Sequence, residues 1–431
     1  MHMMSPLAFM GNPLLWLQLI ARHQVEWGFA PDFAYRLVVR KFQEKLAKSK
    51  EEPMPGLDLS CLHSLQNCAE PIRASTIEEF TKTFGKYGLR DNWLQSGYGL
   101  AEHVVGVTWF HGFQLSLPRD NEDGSHAFVA SGHRGNFHKC VPKIVDTQTF
   151  CELPDGQTGE LWLSGPSVAK GYFNKESLSR EVFDAKLAAA YNEEDCDRSF
   201  LRTGDLAFFQ NDKLFICGRL KDLIICNGVN YYPQDIEAAV GDASTAVRPG
   251  SVAAFSSNDG VDDGNLEVVF EIRKSSESDA SAVIESILCL IREKIGLAPS
   301  RIVAIPERAI PKTTSGKIQR KTTRKELHAR NLRIIHSWTP RQRSRRSSQQ
   351  KDDETSPTRS IHHDSEIGDC SSISTELGDA LGVKVATTPE EQRIAAIWAE
   401  ILDLDIDDID ISANFFALGG QSTQILELAN R

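Results

Sequence analysis

The chain has 431 residues, of which 41% are hydrophobic and 25% charged, an ordinary globular composition with room for two or three domains. A formal net charge of −11 argues against nucleic acid as the main partner, because gripping a phosphate backbone needs a basic surface. Nine cysteines, none at C-x-x-C spacing, speak against a zinc ribbon or a disulfide framework, so a reducing, cytoplasmic setting is expected.

The opening stretch, residues 6–23, is apolar but lacks a basic leader, and Gly11-Asn12-Pro13 interrupts it. Asn12 and Pro13 read as the N-cap and first residue of a helix carrying Leu14, Leu15, Trp16, Leu19 and Ile20. No later stretch reaches the roughly 18 apolar residues of a membrane span. A helix is predicted over Thr76–Phe84 and a strand over 159–165, where Leu161 and Leu163 alternate with Trp162 and Ser164.

Residues 219–328 read as a smaller α+β unit. A strand over 223–226 leads to an Asn227-Gly228 turn, and Pro233 then opens a helix. Strands are expected at Ser251–Ser256, Leu266–Arg273 and Arg301–Ile305. Between the last two lies a helix with Val283, Ile287, Leu290 and Ile291 on one face, stopping at Gly296. From about 330 to 386 the composition turns polar, basic first and then acidic, and predicts a disordered linker. Order returns at Thr388-Pro389-Glu390-Glu391, a capping box ahead of an apolar face made by Ile394, Ile397, Trp398, Ile401 and Leu402.

Four short strings carry the chemistry. SGYGLAE (96–102) sets an aromatic ring and a carboxylate near a glycine turn, and FLRTGDL (200–206) places Asp205 after a glycine. Each is weak alone, since a Tyr-Gly or Gly-Asp turn is commonly structural. GRLKDLIICNGVNYYPQDIE (218–237) is far more specific. PKTTSGKIQRK (311–321) is a Thr/Ser/Gly loop presenting Lys317; the first glycine of a Walker loop is missing from it.

In this order the four strings resemble the adenylate-forming superfamily, over about residues 5–328. The fatty acyl-AMP ligase branch is most similar, through FAPDFAYRLVVRK (29–41), NCAEPIRAST (67–76), GPSVAKGYF (165–173) and YYPQDIE (231–237). The resemblance implies ATP and Mg2+ as cofactors. Tyr98 and Gly99 would then flank the adenine, Glu102 would ligate magnesium, Asp205 would hold the ribose hydroxyls and Arg219 would contact ribose or phosphate. Lys221 matches the hinge position and Lys317 the catalytic lysine of a swinging small lobe. That branch carries an insertion after Y-G-L-A-E, for which residues 110–131 are the candidate; the usual basic residue near the Asn-Gly turn is absent from CNGVN (226–230).

Near the end, DISANFFALGGQSTQIL (410–426) resembles the attachment site of a carrier domain, with Ser422 bearing a 4′-phosphopantetheine arm; the alternative is a plain N-cap serine. The expected architecture is α/β. Residues 1–217 form part of a large AMP-binding lobe, 218–328 a small mobile α+β lobe, 329–386 a linker and 387–431 the start of a helical carrier domain. The family's glycine-rich phosphate loop has no counterpart between Met1 and Tyr98, which predicts a fragment, an incomplete gene product or a degenerate protein.

The function expected is ATP-dependent activation of a fatty acid and transfer to the carrier, with this chain expected to be inactive on its own for want of the phosphate loop. A phosphopantetheinyl transferase and downstream synthase modules are the implied partners. The alternatives are an acyl-CoA or amino-acid-activating ligase, and a non-catalytic acyl-adenylate-binding scaffold.

Overall fold

The computed structural model describes residues 2–49, 51–117, 127–137, 139–226, 229–258, 265–313, 317–340, 386, 388–402, 406 and 409. The chain divides into two compact units that meet between Asp222 and Leu223.

The first unit opens with α1 (Pro6–Gly11) and α2 (Leu15–His23). Ser5 caps α1, its hydroxyl accepting the Ala8 N–H at 3.1 Å with Pro6 at the first helical position. The serine–proline pair thus starts a helix that was not expected, and Asn12 ends it, donating its N–H to the Ala8 carbonyl at 3.0 Å; the expected helix follows as α2, but with Leu14 rather than Asn12 as its N-cap. In α2 the buried residues are Leu17 and Ile20, with Leu14 buried just before it; Leu15, Trp16 and Leu19 lie only part-way in.

A four-stranded sheet follows in the order β1 (Trp27–Ala30), β2 (Ser64–Asn67), β3 (Leu94–Gly99), β4 (Gly106–His111), with the first three parallel and β4 antiparallel. Helices α3 (Asp32–Ser49) and α4 (Ala74–Phe84) supply the parallel crossovers and pack on each other. Their junction is electrostatic. Asp32, fully buried at the start of α3, accepts from Asn67 Nδ2 at 3.1 Å, the Arg73 amide at 3.3 Å, Thr76 Oγ1 at 3.0 Å and Arg36 Nε at 3.1 Å. A buried carboxylate is tolerated only when so fully partnered, and here it ties residues 29–41 to residues 67–76.

The second sheet is antiparallel, in the order β5 (Ala130–His133), β9 (Lys213–Arg219), β8 (Leu201–Gln210), β7 (Gly159–Ser164), β6 (Val141–Val145). Strand β7 is buried at every position, not on alternate residues. Leu161 and Leu163 join Phe209 and Leu214 in one cluster, while Trp162 joins Phe200 and Leu187 in another. Alternation in its sequence therefore marks two covered faces, not one wet face. Helix α5 (Glu176–Phe183) packs against β8.

The second unit begins with the hairpin β10 (Ile224–Cys226) and β11 (Val229–Tyr231); the turn between them lies outside the described residues. Helix α6 (Pro233–Asp242) starts at the proline as expected, with Asp235 in its first turn. The sheet runs β12 (Val247–Ser256), β13 (Leu266–Ile272), β14 (Arg301–Ile305), β15 (His336–Trp338). Helix α7 (Ala280–Ile295) bridges the parallel pair β13–β14 and ends at Gly296, whose φ of +70° is the left-handed conformation glycine adopts without strain.

Two elements of this unit were not foreseen. Helix α8 (Arg320–His328) follows the lysine loop, and Arg320 grips Glu237 of α6 through both carboxylate oxygens, at 2.7 and 2.8 Å. Strand β15 lies in what reads as linker, yet pairs with β14 while Ile335 and Trp338 pack on the core, so the lobe runs to at least Trp338. Residues 341–385 of the predicted linker are outside the described residues. Helix α9 (Pro389–Leu402) carries the expected capping box: the Thr388 amide donates to Glu391 at 2.9 Å and the Glu391 amide to the Thr388 hydroxyl at 3.2 Å. Its buried positions are Ala395 and Ile401, whereas Ile394 is 53% exposed and not part of the buried face.

Candidate nucleotide site

In the first unit, β3 ends in a bulge at Tyr98-Gly99 where it meets β4. Gly99 is required by space: a Cβ there would come within 1.9 Å of the Val105 carbonyl oxygen. The chain then makes a tight turn through Ala101–His103, which brings Glu102 to the end of the sheet.

Tyr98 and Asp205, distant in sequence, meet across the two sheets. The Tyr98 hydroxyl donates to Asp205 Oδ2 at 2.7 Å, and Arg219 Nε donates to Asp205 Oδ1 at 3.1 Å from the directly opposite position on β9. Asp205 is buried whereas Arg219 is half-exposed. Burial pushes the Asp205 carboxyl above its ordinary range, against the opposing pull of Tyr98, Arg219 and Lys221. Burial and the adjacent carboxylate likewise raise the Tyr98 phenol well above its usual value. The result is a buried carboxylate that already accepts from a neutral hydroxyl, that of Tyr98, and so can serve as an acceptor for other neutral hydroxyl donors.

Glu102 is held by a second loop. Tyr172 donates its hydroxyl to Glu102 Oε1 at 2.7 Å, and the Ala169 amide donates to the Glu102 carbonyl at 2.8 Å. Burial and the Glu102 carboxylate push the Tyr172 phenol up to about 12, so it stays a donor at any ordinary pH. The Tyr172 ring packs edge-on against Phe183 of α5, with centroids 5.0 Å apart, and the Ser179 hydroxyl fixes its backbone. Among the described residues no three His, Cys, Asp or Glu side chains cluster to hold a metal unaided. The single carboxylate of Glu102 suits Mg2+, which commonly takes one or two protein carboxylates and fills its sphere with water and substrate phosphates.

The structure therefore brings together Tyr98, Asp205 and Arg219, with Lys221 close enough to bear on Asp205, and places Glu102 on the next turn. Lys317 belongs to the second unit and is exposed; the Thr313 amide donates to the Lys317 carbonyl at 2.8 Å and the Lys317 amide to Thr313 Oγ1 at 3.0 Å. Ser422 lies outside the described residues, as do residues 118–126 of the candidate insertion 110–131; a bridge between Leu115 and Val129 joins the described parts of that segment. Sequence reading missed Tyr172, Thr203 and Glu160 as supports of the site. Their signal was present, since each lies inside a string already singled out.

Residues 1–173 match the AMP-binding enzyme family, 221–337 the Disco-interacting protein 2-like AMP domain and 392–431 the phosphopantetheine attachment site. The chain belongs to the AMP-binding enzyme family. That family uses ATP, and a phosphopantetheine attachment domain carries that arm.

The chain is 35% identical over 360 residues to the probable long-chain-fatty-acid–AMP ligase FadD30 of Mycobacterium tuberculosis, an alignment covering 78% of this chain and 58% of that protein. It is 35% identical over 341 residues to the medium-chain-fatty-acid–[acyl-carrier-protein] ligase JamA of Moorena producens, covering 75% and 55%. The chain thus spans a little over half the length of these AMP-binding relatives.

Among solved structures, the McyG A-PCP complex with phenylalanyl-adenylate superposes with a TM-score of 0.66 at 25% identity, covering 99% of this chain and 57% of that one. A fatty acyl-adenylate ligase from work on the E. coli and L. pneumophila enzymes gives 0.63 at 26%, covering 75% and 56%.

Proposed function

We propose that the protein activates a fatty acid with ATP to its acyl-adenylate and passes the acyl group to a phosphopantetheine arm on Ser422. The observation that carries this reading is the hydrogen-bonded set Tyr98–Asp205–Arg219 with Glu102 on the adjoining turn. The fatty-acid–AMP and carrier-protein ligase names of its relatives support the choice of substrate.

In this reading Tyr98 and Gly99 border the adenine, Asp205 accepts the ribose hydroxyls, and Arg219 contacts ribose or phosphate. A fatty-acid carboxylate oxygen attacks the α-phosphorus, and the bond to pyrophosphate breaks. Both reactants are anionic, so catalysis is positioning and charge neutralisation. Glu102 would hold Mg2+, which would supply charge shielding of the phosphates, and Lys317 places a point charge on the reacting group. Lys221 adjoins the boundary between the two units, which suits a hinge that withdraws Lys317 after adenylation. The arm's thiol then attacks the acyl carbon and expels AMP. Downstream synthase modules consume the thioester.

Intact-mass spectrometry tests this. After treatment with a phosphopantetheinyl transferase and coenzyme A, the protein gains the mass of the arm, and fatty acid plus ATP adds an acyl increment; Ser422→Ala abolishes both. Release of acyl-CoA while Ser422 stays bare would replace carrier loading by acyl-CoA synthesis.

A further inference from the structure

We infer that Glu160 is a positioning residue for the ribose site, its carboxylate pinning the bulge that carries Asp205; the inference rests on the reading of Asp205 as the group that holds the ribose. Strand β7 is apolar around it, with Leu161, Trp162 and Leu163 next in line, and Glu160 itself is 2% exposed. A charge so buried is costly unless fully partnered, and here it is. Oε2 accepts from Arg202 Nε at 3.1 Å, Arg202 Nη2 at 3.0 Å and Trp162 Nε1 at 2.9 Å, while Oε1 accepts the Gly204 amide at 3.0 Å.

The β7–β8 ladder shows what these bonds hold. Trp162 pairs with Arg202 and Glu160 with Leu206, so Leu161 alone faces Thr203, Gly204 and Asp205. The extra residues must bulge, and Gly204 permits it with φ of +69°. In the bulge, side chains replace the missing ladder partners. Glu160 takes the Gly204 N–H; Thr203 Oγ1 donates to the Leu161 carbonyl at 2.6 Å and takes the Asp205 N–H at 3.1 Å. The residues on both sides of Asp205 are thereby fixed from β7, while its carboxylate faces Tyr98 and Arg219. A displacement of about 1 Å there would misplace the ribose acceptors, an error that costs far more in function than in stability.

The test compares calorimetric affinities for AMP and 2′,3′-dideoxy-AMP. The wild-type protein should prefer AMP at least about tenfold, the worth of hydrogen bonds to a charged group. Glu160→Gln keeps the size and an acceptor for the Gly204 amide but turns an amide NH2 toward Arg202. It should cut the preference to within about threefold with dideoxy-AMP affinity unchanged. Thr203→Val loosens the same bulge without touching the ion pair, should act alike, and carries the test if Glu160→Gln does not fold. Retained preference in folded variants, or equal loss for both ligands, overturns the positioning role and leaves a structural ion pair. Absence of any preference in the wild type removes the ribose reading of Asp205, and this inference with it.

Discussion

The two units treat their functional charges in opposite ways. In the first, Asp205 is buried, paired with Arg219, hydrogen-bonded by Tyr98 and backed by a bulge locked from the neighbouring strand. In the second, Lys317 stands exposed, and a buried charge lies elsewhere: Glu271, near the end of β13, accepts the Ile310 amide at 2.9 Å a few residues before Lys317. Groups that grip a bound nucleotide gain from being preorganised. A group that must act in one step and leave in the next cannot be locked in place. The contrast between a buried, partnered carboxylate and an exposed lysine fits the roles proposed for the two groups.

The largest expected effect bears on the exposed partner. Lys317→Ala should depress fatty-acid-dependent ATP–pyrophosphate exchange roughly a hundredfold, since one transition-state charge contact is worth about 3 kcal/mol. Acyl transfer from supplied acyl-adenylate to the carrier should fall by less than about threefold. Equal losses in both half-reactions would mean that Lys317 is a fixed part of one site and would erase the comparison.

Much of the fold is legible locally. The capping box at Thr388, the proline start of α6 and the glycine stop of α7 are each dictated by a few neighbouring residues. The errors share a cause. Strand β15 and the double burial of β7 depend on partners far along the chain, and a short apolar window such as 334–338, set beside polar sequence, does not name them. The site was half legible for the same reason. Tyr98, Glu102 and Asp205 stand in recognisable strings, but the bonds from Tyr172 to Glu102 and from Glu160 to the bulge join residues 70 and 44 positions apart.

The buried partner gives a smaller effect on function. Asp205→Asn should weaken AMP about tenfold, by replacing an acceptor-only carboxylate with a group that also donates. Burial raises the Asp205 carboxyl, so its ionised form is disfavoured by folding, and stability falls as pH climbs from the unfolded value through the higher folded one. Removing that charge should leave the thermal midpoint at neutral pH unchanged or slightly raised, as expected where a site trades stability for function. A large drop in the midpoint measured by calorimetry would show Asp205 to be structural.

The smallest effect concerns the support beneath the lysine loop. Burial tends to raise Glu271, but the Arg248 guanidinium and the Ile310 and Arg308 amides outweigh it and hold its carboxyl below the ordinary value. Here folding favours the ionised form. The stabilisation is therefore present above the unfolded value near 4.5 and lost as pH falls through the lower folded one. Lys312, which donates to the Gly250 carbonyl at 2.7 Å and the Ser251 hydroxyl at 3.0 Å, adds to the positive field on this carboxylate. Glu271→Gln keeps an acceptor for the Ile310 amide but gives up the charged contact with Arg248, which should cost about 1 kcal/mol at pH 7. Urea unfolding of both proteins from pH 7 to pH 3 checks the sign. The wild-type advantage should shrink toward zero below pH ~4, because protonated Glu271 and glutamine are both neutral. An advantage that persists undiminished at pH 3 would mean that Glu271 acts by packing alone, and that the second unit, unlike the first, places no working charge beneath its functional group.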